Sequence, residues 1–331
     1  MHSVTHTKTY RRAAMKMAHR SLIGGPGMSV ETFLREARIA KLVDHPAAVE
    51  VFESGEFQGR PYIVMEKLLG ESLGRRVDKG PPLRRTHAMQ ILLELIDVLR
   101  AAHAAGVVHR DLKLDNVFLC ETQFADHRRV KLLDWGVAYI EGEPDPFRGL
   151  IAGTLTYVAP EQIRGDEITP AADIYSLAVL AFHLLCRRPP FAGPDLTLLH
   201  LHLRVEPPPP SFAWPEVPPK LENLLVRMMS KQPFERPSLD EVEQVFRETM
   251  PDVEPTIRFA DGSGVNIPLV QSDENAPNPW YLRWLLAKRL APPVSGDILC
   301  RPVLPVPPFG IRWACIGLAL AGLAGLIQAL S

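Results

Sequence analysis

Apolar residues first fall at helical spacing just after residue 29. Phe33, Ala37 and Ala40 make a stripe with Glu36 beside it. Ser29 fits the N-cap position, and Glu31 in the first turn suits the positive end of a helix dipole. Upstream, residues 1–17 read as strand material ending in Ala13-Ala14-Met15-Lys16-Met17, and Gly-Gly-Pro-Gly at 24–27 reads as a turn. Tyr-Ile-Val-Met-Glu at 62–66 reads as a short buried strand, and Leu-Leu-Gly-Glu-Ser at 68–72 turns the chain away. Met89, Leu92, Leu93, Ile96 and Leu99 predict a long amphipathic helix over about 85–105, stopped by Gly106. Residues 172–185 are almost wholly apolar, which predicts a buried helix stopped by Pro189 and Pro190. Two further helices fit 219–230 and 239–249, and no internal repeat is found.

One stretch breaks this pattern. In Val-Val-His-Arg-Asp-Leu-Lys-Leu-Asp-Asn-Val-Phe-Leu at 107–119, His109, Arg110, Asp111, Lys113 and Asn116 sit between residues that read as core. A solvated loop would not be flanked by Val107, Val108, Val117, Phe118 and Leu119. The spacing predicts a catalytic loop between two buried strands. A second strand, Val-Lys-Leu-Leu-Asp-Trp-Gly at 130–136, runs into another polar cluster.

Composition narrows the class. The chain has 331 residues, 46% hydrophobic and 23% charged, which is globular and long enough for one large domain with additions or for two small ones. A formal net charge of −1 predicts no nucleic-acid partner. Cys120, Cys186, Cys300 and Cys315 lack a Cys-x-x-Cys spacing and read as reduced thiols. The N-terminus carries Lys8, Arg11, Arg12 and Lys16 without an apolar run, so no signal peptide is read. His200 and His202 alternate in Leu-Leu-His-Leu-His-Leu-Arg without a thiol or carboxylate cluster, which reads as a helix flank and not a metal site.

His-Arg-Asp-Leu-Lys-Leu-Asp-Asn, then Asp134-Trp135-Gly136, then Ala159-Pro160-Glu161 resembles the signature series of the protein kinases, in the same order. Ala-Ala-Met-Lys resembles the strand that carries their lysine. The resemblance covers about residues 10–249 and is closest to bacterial serine/threonine kinases. It implies an α+β, two-lobed fold: a small, mainly β N-lobe over residues 1–66 and a large, mainly α C-lobe over 67–249. It implies ATP and Mg²⁺ as cofactors, and protein serine and threonine hydroxyls as acceptors. Asp111 would orient the acceptor hydroxyl and take its proton, and Lys113 would stabilise the transferring phosphoryl. Asn116 and Asp134 would offer oxygens to Mg²⁺, a hard cation. Lys16 would hold the α- and β-phosphates, with Glu36 as its helix partner. Met65 would be the gatekeeper, and Glu66 to Leu68 the hinge that pairs with adenine through backbone groups. Glu161 and Arg236 would form a buried ion pair, Asp173 would brace the catalytic loop, and Thr154 would bond to it from the substrate pocket. The Pro-rich run at 206–219 is then a connection within the large lobe and not a recognition motif.

The resemblance departs in three places. No Gly precedes Gly24 and only fifteen residues precede Lys16, so the glycine-rich loop is missing; either the chain as given starts late, which is the favoured reading, or this is a scaffold with an impaired nucleotide lid. Trp135 stands where the family has Phe. No Ser or Thr lies between Trp135 and Gly153, where Arg110 would meet a phosphorylated residue; Glu141, Glu143 or Asp145 is expected to substitute for it.

Residues 250–310 read as a Pro-rich linker, with a short amphipathic helix at 280–290. Residues 311–330 read as a transmembrane helix. The uncharged tract 313–330 spans about 27 Å at 1.5 Å per residue, just under a ~30 Å hydrocarbon core. Arg301 and Arg312 on its N-terminal side would keep the preceding domain cytosolic, at the inner membrane. Gly317, Ala321 and Gly325 form a small-residue stripe that points to a homodimer.

Overall fold

The computed structural model describes residues 1–18, 29–121, 129–150 and 154–250, all within one compact unit, Met1–Lys288. The turn at 24–27, the linker, the helix at 280–290 and the apolar tract at 313–330 lie outside the described residues. Among the described residues, no helix is long and apolar enough to cross a membrane.

A four-stranded antiparallel sheet forms the first layer. Its order is β1 (His2–Thr5), β2 (Arg12–Met17), β4 (Arg60–Glu66), β3 (Val51–Phe57). The strand material expected over residues 1–17 is therefore a hairpin, with His2 opposite Met15 and Thr5 opposite Arg12. Its register against β4 places Ala14 opposite Met65 and Lys16 opposite Ile63. α1 (Val30–Leu42) packs on this sheet, and Ser29 caps it by accepting from the Thr32 N–H at 3.0 Å. Phe33, Ala37 and Ala40 are buried, as the stripe predicts.

The chain does not simply turn away after β4. Gly70–Ser72 forms β5, and Ser72 caps α2 (Leu73–Lys79). Gly70 sits at φ 136°, and a Cβ there would lie 2.0 Å from the Leu119 carbonyl oxygen, so only glycine lets β5 pair with β7 (Val117–Cys120). β7 is central in a three-stranded sheet with β5 and β8 (Arg129–Leu132). The strand before the polar stretch, β6 (Val107–Val108), instead pairs with β9 (Tyr139–Ile140). Both flanking strands are thus real, but in different sheets.

α3 (Arg85–Ala104) ends before Gly106, which takes φ 71°. α4 (Pro160–Arg164) is followed by α5 (Ala171–Cys186), which is buried almost all round and forms the centre of the helical layer. α5 stops at Arg187, in the left-handed conformation at φ 59°, two residues before the expected prolines act. α6 (Asp195–Arg204) carries His200 and His202 within a helix and not at its flank; His202 is buried and its Nδ1 lies 2.9 Å from the Tyr175 hydroxyl. α7 (Pro219–Met228) and α8 (Leu239–Thr249) complete the layer. The Pro-rich run joins α6 to α7 with Trp214 buried and Arg85 stacked on its ring at 4.2 Å. The Leu132 N–H donates to the Ala47 carbonyl at 2.7 Å, and Lys131 pairs with Glu66, tying the sheet layer to the helical one.

Candidate active site

Three charges from distant parts of the chain meet just past the end of β8. Lys16 on β2 donates to Glu36 on α1 at 2.9 and 2.6 Å, and to Asp134 Oδ1 at 3.4 Å. Burial works against the Lys16 ammonium, but Glu36 and Asp134 outweigh it and raise its pKa. Burial also pushes Asp134 toward protonation, yet Lys16, His109 and the Gly136 N–H hold it below the usual carboxylate range. Both groups therefore stay charged at neutral pH. Gly136 packs closely here: a Cβ would sit 3.2 Å from Asp134 Oδ1 and 3.4 Å from Glu36 Oε2, so a side chain would push on both carboxylates.

The stretch 109–116 forms one connected network. Asp111 Oδ2 accepts from Lys113 Nζ at 2.7 Å and from Asn116 Nδ2 at 2.9 Å. Asn116 Nδ2 also donates to the Asp111 carbonyl at 2.8 Å, leaving its amide oxygen for another partner. Arg110 and Asp134 both hold positive φ, 67° and 62°, a strained conformation for residues with a Cβ. Asp173 on α5 pins the loop from below. Its carboxylate accepts from the N–H of His109 at 2.8 Å and of Arg110 at 2.9 Å, and His103 Nε2 lies 2.8 Å away. Burial raises the Asp173 pKa, but His103, His109 and the Arg110 N–H pull it below its ordinary value. Glu161 and Arg236 form a bidentate pair at 2.6 and 2.8 Å.

Comparison with known proteins gives this geometry a family. The protein kinase domain family matches residues 1–246. This chain is a member of the protein kinase family. It is 38% identical to the serine/threonine-protein kinase Pkn1 of Myxococcus xanthus over 70% of this chain and 33% of that protein. It is 36% identical to PknA of Mycobacterium tuberculosis over 68% and 52%, and 29% identical to PknB of Mycolicibacterium smegmatis over 82% and 43%. The relatives place it with the bacterial serine/threonine kinases, and it spans about a third to a half of their length.

In kinase terms, the two-lobed fold brings together Lys16, Glu36, Asp134, Asp111, Lys113 and Asn116. Met65, which is buried, and Glu66 end β4, and Lys67 and Leu68 follow in an irregular stretch before β5. The Glu66 side chain is taken up by Lys131 and by the Glu50 N–H, so any adenine contact there falls to the backbone. Thr154 departs from its expected place. It is exposed, and no hydrogen bond from its side chain to the catalytic loop is found among the described residues. The carbonyl of Arg110 instead accepts from Gln162 Nε2 at 3.0 Å. Sequence reasoning missed Gln162, His103, Arg35 and Arg38, although Arg35 and Arg38 flank Glu36 on α1. Their partners lie about 50 to 105 residues away, which no local pattern encodes.

Mg²⁺ fits the donor set. Asp134 is half exposed in the cleft, and Asn116 has its amide nitrogen committed and its oxygen available. Both offer the oxygen ligands that Mg²⁺ prefers.

Proposed function

We propose that this chain transfers the γ-phosphate of ATP to serine and threonine hydroxyls of proteins. The carrying observation is the approach of Lys16–Glu36 to Asp134, with Asp111 held by both Lys113 and Asn116. The acceptor oxygen bonds to the γ-phosphorus as the bond to the β-phosphate oxygen breaks. The hydroxyl proton passes to Asp111, and ADP leaves. Lys16 holds phosphate oxygens, Glu36 keeps Lys16 in place, and Lys113 offsets the charge that develops beside Asp111. When bound at Asn116 and Asp134, Mg²⁺ supplies further charge neutralisation. The serine/threonine preference is supported by Lys113, two residues beyond Asp111, and by the names of the curated relatives.

The test is transfer of labelled γ-phosphate to a generic serine/threonine acceptor by the full chain and by Asp111→Asn. Transfer by the first and a loss of at least about a hundredfold in the second is expected. Nucleotide binding without transfer by either would favour the scaffold reading. Membrane anchoring through 313–330, with the kinase domain cytosolic, belongs to the same proposal and is supported by the uncharged tract and the arginines before it. Carbonate-resistant recovery in the membrane fraction, lost on deleting 311–331, is the expected result.

A further inference from the structure

We infer that Asp145 and Glu143 are positioning residues that dock the segment after Asp134 onto the catalytic loop and onto α1, so that the site stays assembled without an added phosphate. This rests on the kinase reading. Residues 135–153 contain no Ser or Thr, and Tyr139 is their only hydroxyl. Of the three acids expected to substitute for a phosphate, Asp145 reaches Arg110. Its two oxygens accept from Arg110 Nη1 at 2.8 Å and Nη2 at 2.5 Å, and both side chains are nearly buried. Asp145 also accepts from the Phe147 N–H at 3.0 Å, which fixes the bend that presents it. Burial pushes the Asp145 carboxyl up, but Arg110, the Phe147 N–H and Arg35 hold it below its ordinary range. It is therefore a carboxylate at neutral pH.

Glu143 does a second job that the sequence did not foretell. It takes Arg38 of α1 in a two-pronged pair at 2.9 and 2.6 Å. Three residues earlier on the same helix, Arg35 Nη1 donates to the Ala138 carbonyl at 2.6 Å. α1 thus touches the segment on both sides of Glu36, the partner of Lys16. Glu141 is exposed, and among the described residues its carboxylate makes no such pair. Arg35, Arg38 and Arg110 together face Glu143 and Asp145. Removing either carboxylate leaves three guanidinium groups against one acid, two of them buried. The segment would lose attraction to the surfaces it now covers, and the guanidinium groups would be left to repel one another.

The two contacts predict different kinetic signatures. Asp145 acts through Arg110 on the adjoining Asp111, so Asp145→Asn lowers kcat by about tenfold or more, with KM for ATP little changed. Asp145→Glu keeps a carboxylate and recovers part of that loss. Glu143 acts through α1 on Lys16, so Glu143→Gln raises KM for ATP by about two- to fivefold. Glu141→Gln, which removes the same charge from the same segment, changes neither. Full-length wild type, treated with phosphatase and shown by mass spectrometry to carry no phosphate on Tyr139, keeps its activity.

Unchanged kinetics in both variants would overturn the inference, as would activity that requires a phosphate on Tyr139. If wild type transfers no phosphate, the function fails first. The docking is then read by hydrogen exchange at the Glu141 and Phe147 amides. Faster exchange in Asp145→Asn than in Glu141→Gln supports it, and equal exchange overturns it.

Discussion

Lys16–Glu36 and Arg236–Glu161 are both cation–carboxylate pairs joining residues far apart in sequence, yet they sit in opposite surroundings. The first lies at the cleft, with side chains 31% and 11% exposed. The second is sealed in the helical layer at 0% and 1%. Arg236 also donates to the carbonyls of Ala171 at 2.7 Å and Ser230 at 2.9 Å, so every nitrogen of its fork has a partner, whereas Lys16 divides its donors between Glu36 and Asp134. An ion pair near solvent can exchange partners cheaply. A buried, fully bonded pair cannot, because separating it leaves a charge in low dielectric. The cleft pair is built to exchange partners, and the C-lobe pair to stay fixed.

The largest effect expected from breaking this contrast is on stability. Arg236→Met should destabilise the fold by about 3–5 kcal/mol, because Glu161 keeps a buried charge without a partner. Lys16→Met should abolish transfer yet cost the fold less, about 1–2 kcal/mol, because burial already raises the Glu36 pKa and the carboxyl can take up a proton. Urea unfolding of the two variants checks both statements. Similar losses of stability would erase the distinction.

The second effect concerns pH. Lys231 lies 4.8 Å from the Phe191 ring centroid and 5.6 Å from that of Tyr175, in the same buried layer as Arg236. Burial lowers its pKa to about 7, with Arg236 adding to the shift and Glu206 opposing it. In the unfolded chain a lysine titrates near 10.4. Between these values the unfolded state holds the extra proton, so stability rises with pH by up to about 1.4 kcal/mol per unit. Above about 10.4 the gain is complete, and it is lost as pH falls through 7. Lys231→Met should flatten this slope, as measured by urea midpoints at pH 7, 8 and 9. A slope unchanged by the substitution would assign it to another group.

A third, smaller effect tests the cleft itself. A double-mutant cycle on Lys16 and Glu36 should give a stability coupling of about 1 kcal/mol or less, since water reaches the lysine. A coupling as large as that of Glu161 with Arg236 would mean that the cleft pair is structural.

These contrasts also show what the sequence could reveal. The helices at Phe33–Ala40, 85–105 and 172–185 were legible because a burial period of 3.6 is a local property. The signature residues were legible because polar groups inside apolar runs stand out. β3 and α2 were not, because Val51–Phe57 is mostly exposed and only two residues of α2, Leu73 and Gly74, are buried. The Arg38–Glu143 pair was hidden for a different reason. Each residue is ordinary alone, and only the fold brings them together across 105 positions.

Trp135 sits at the seam between the two regions, next to the cleft residue Asp134 but itself wholly buried. Its ring meets His109 edge-on at 4.7 Å, and among the described residues its Nε1 has no hydrogen-bond partner. His109 is fixed in turn: its Nε2 lies 3.1 Å from the Leu133 carbonyl and its Nδ1 accepts from the Asp111 N–H at 3.2 Å. The indole therefore supports the catalytic loop by packing and not by hydrogen bonding. Trp135→Phe removes a buried unpaired N–H, which alone costs about 1–3 kcal/mol, and also removes ring volume, which costs a similar amount through the cavity left behind. The two terms oppose each other, so the net change in stability should stay within about 1 kcal/mol and transfer within about twofold. A loss of several kcal/mol in the urea midpoint would mean that the N–H is satisfied by a buried water that Phe cannot hold. Trp135 would then belong with the saturated polar groups of the helical layer and not with the packing that carries the cleft.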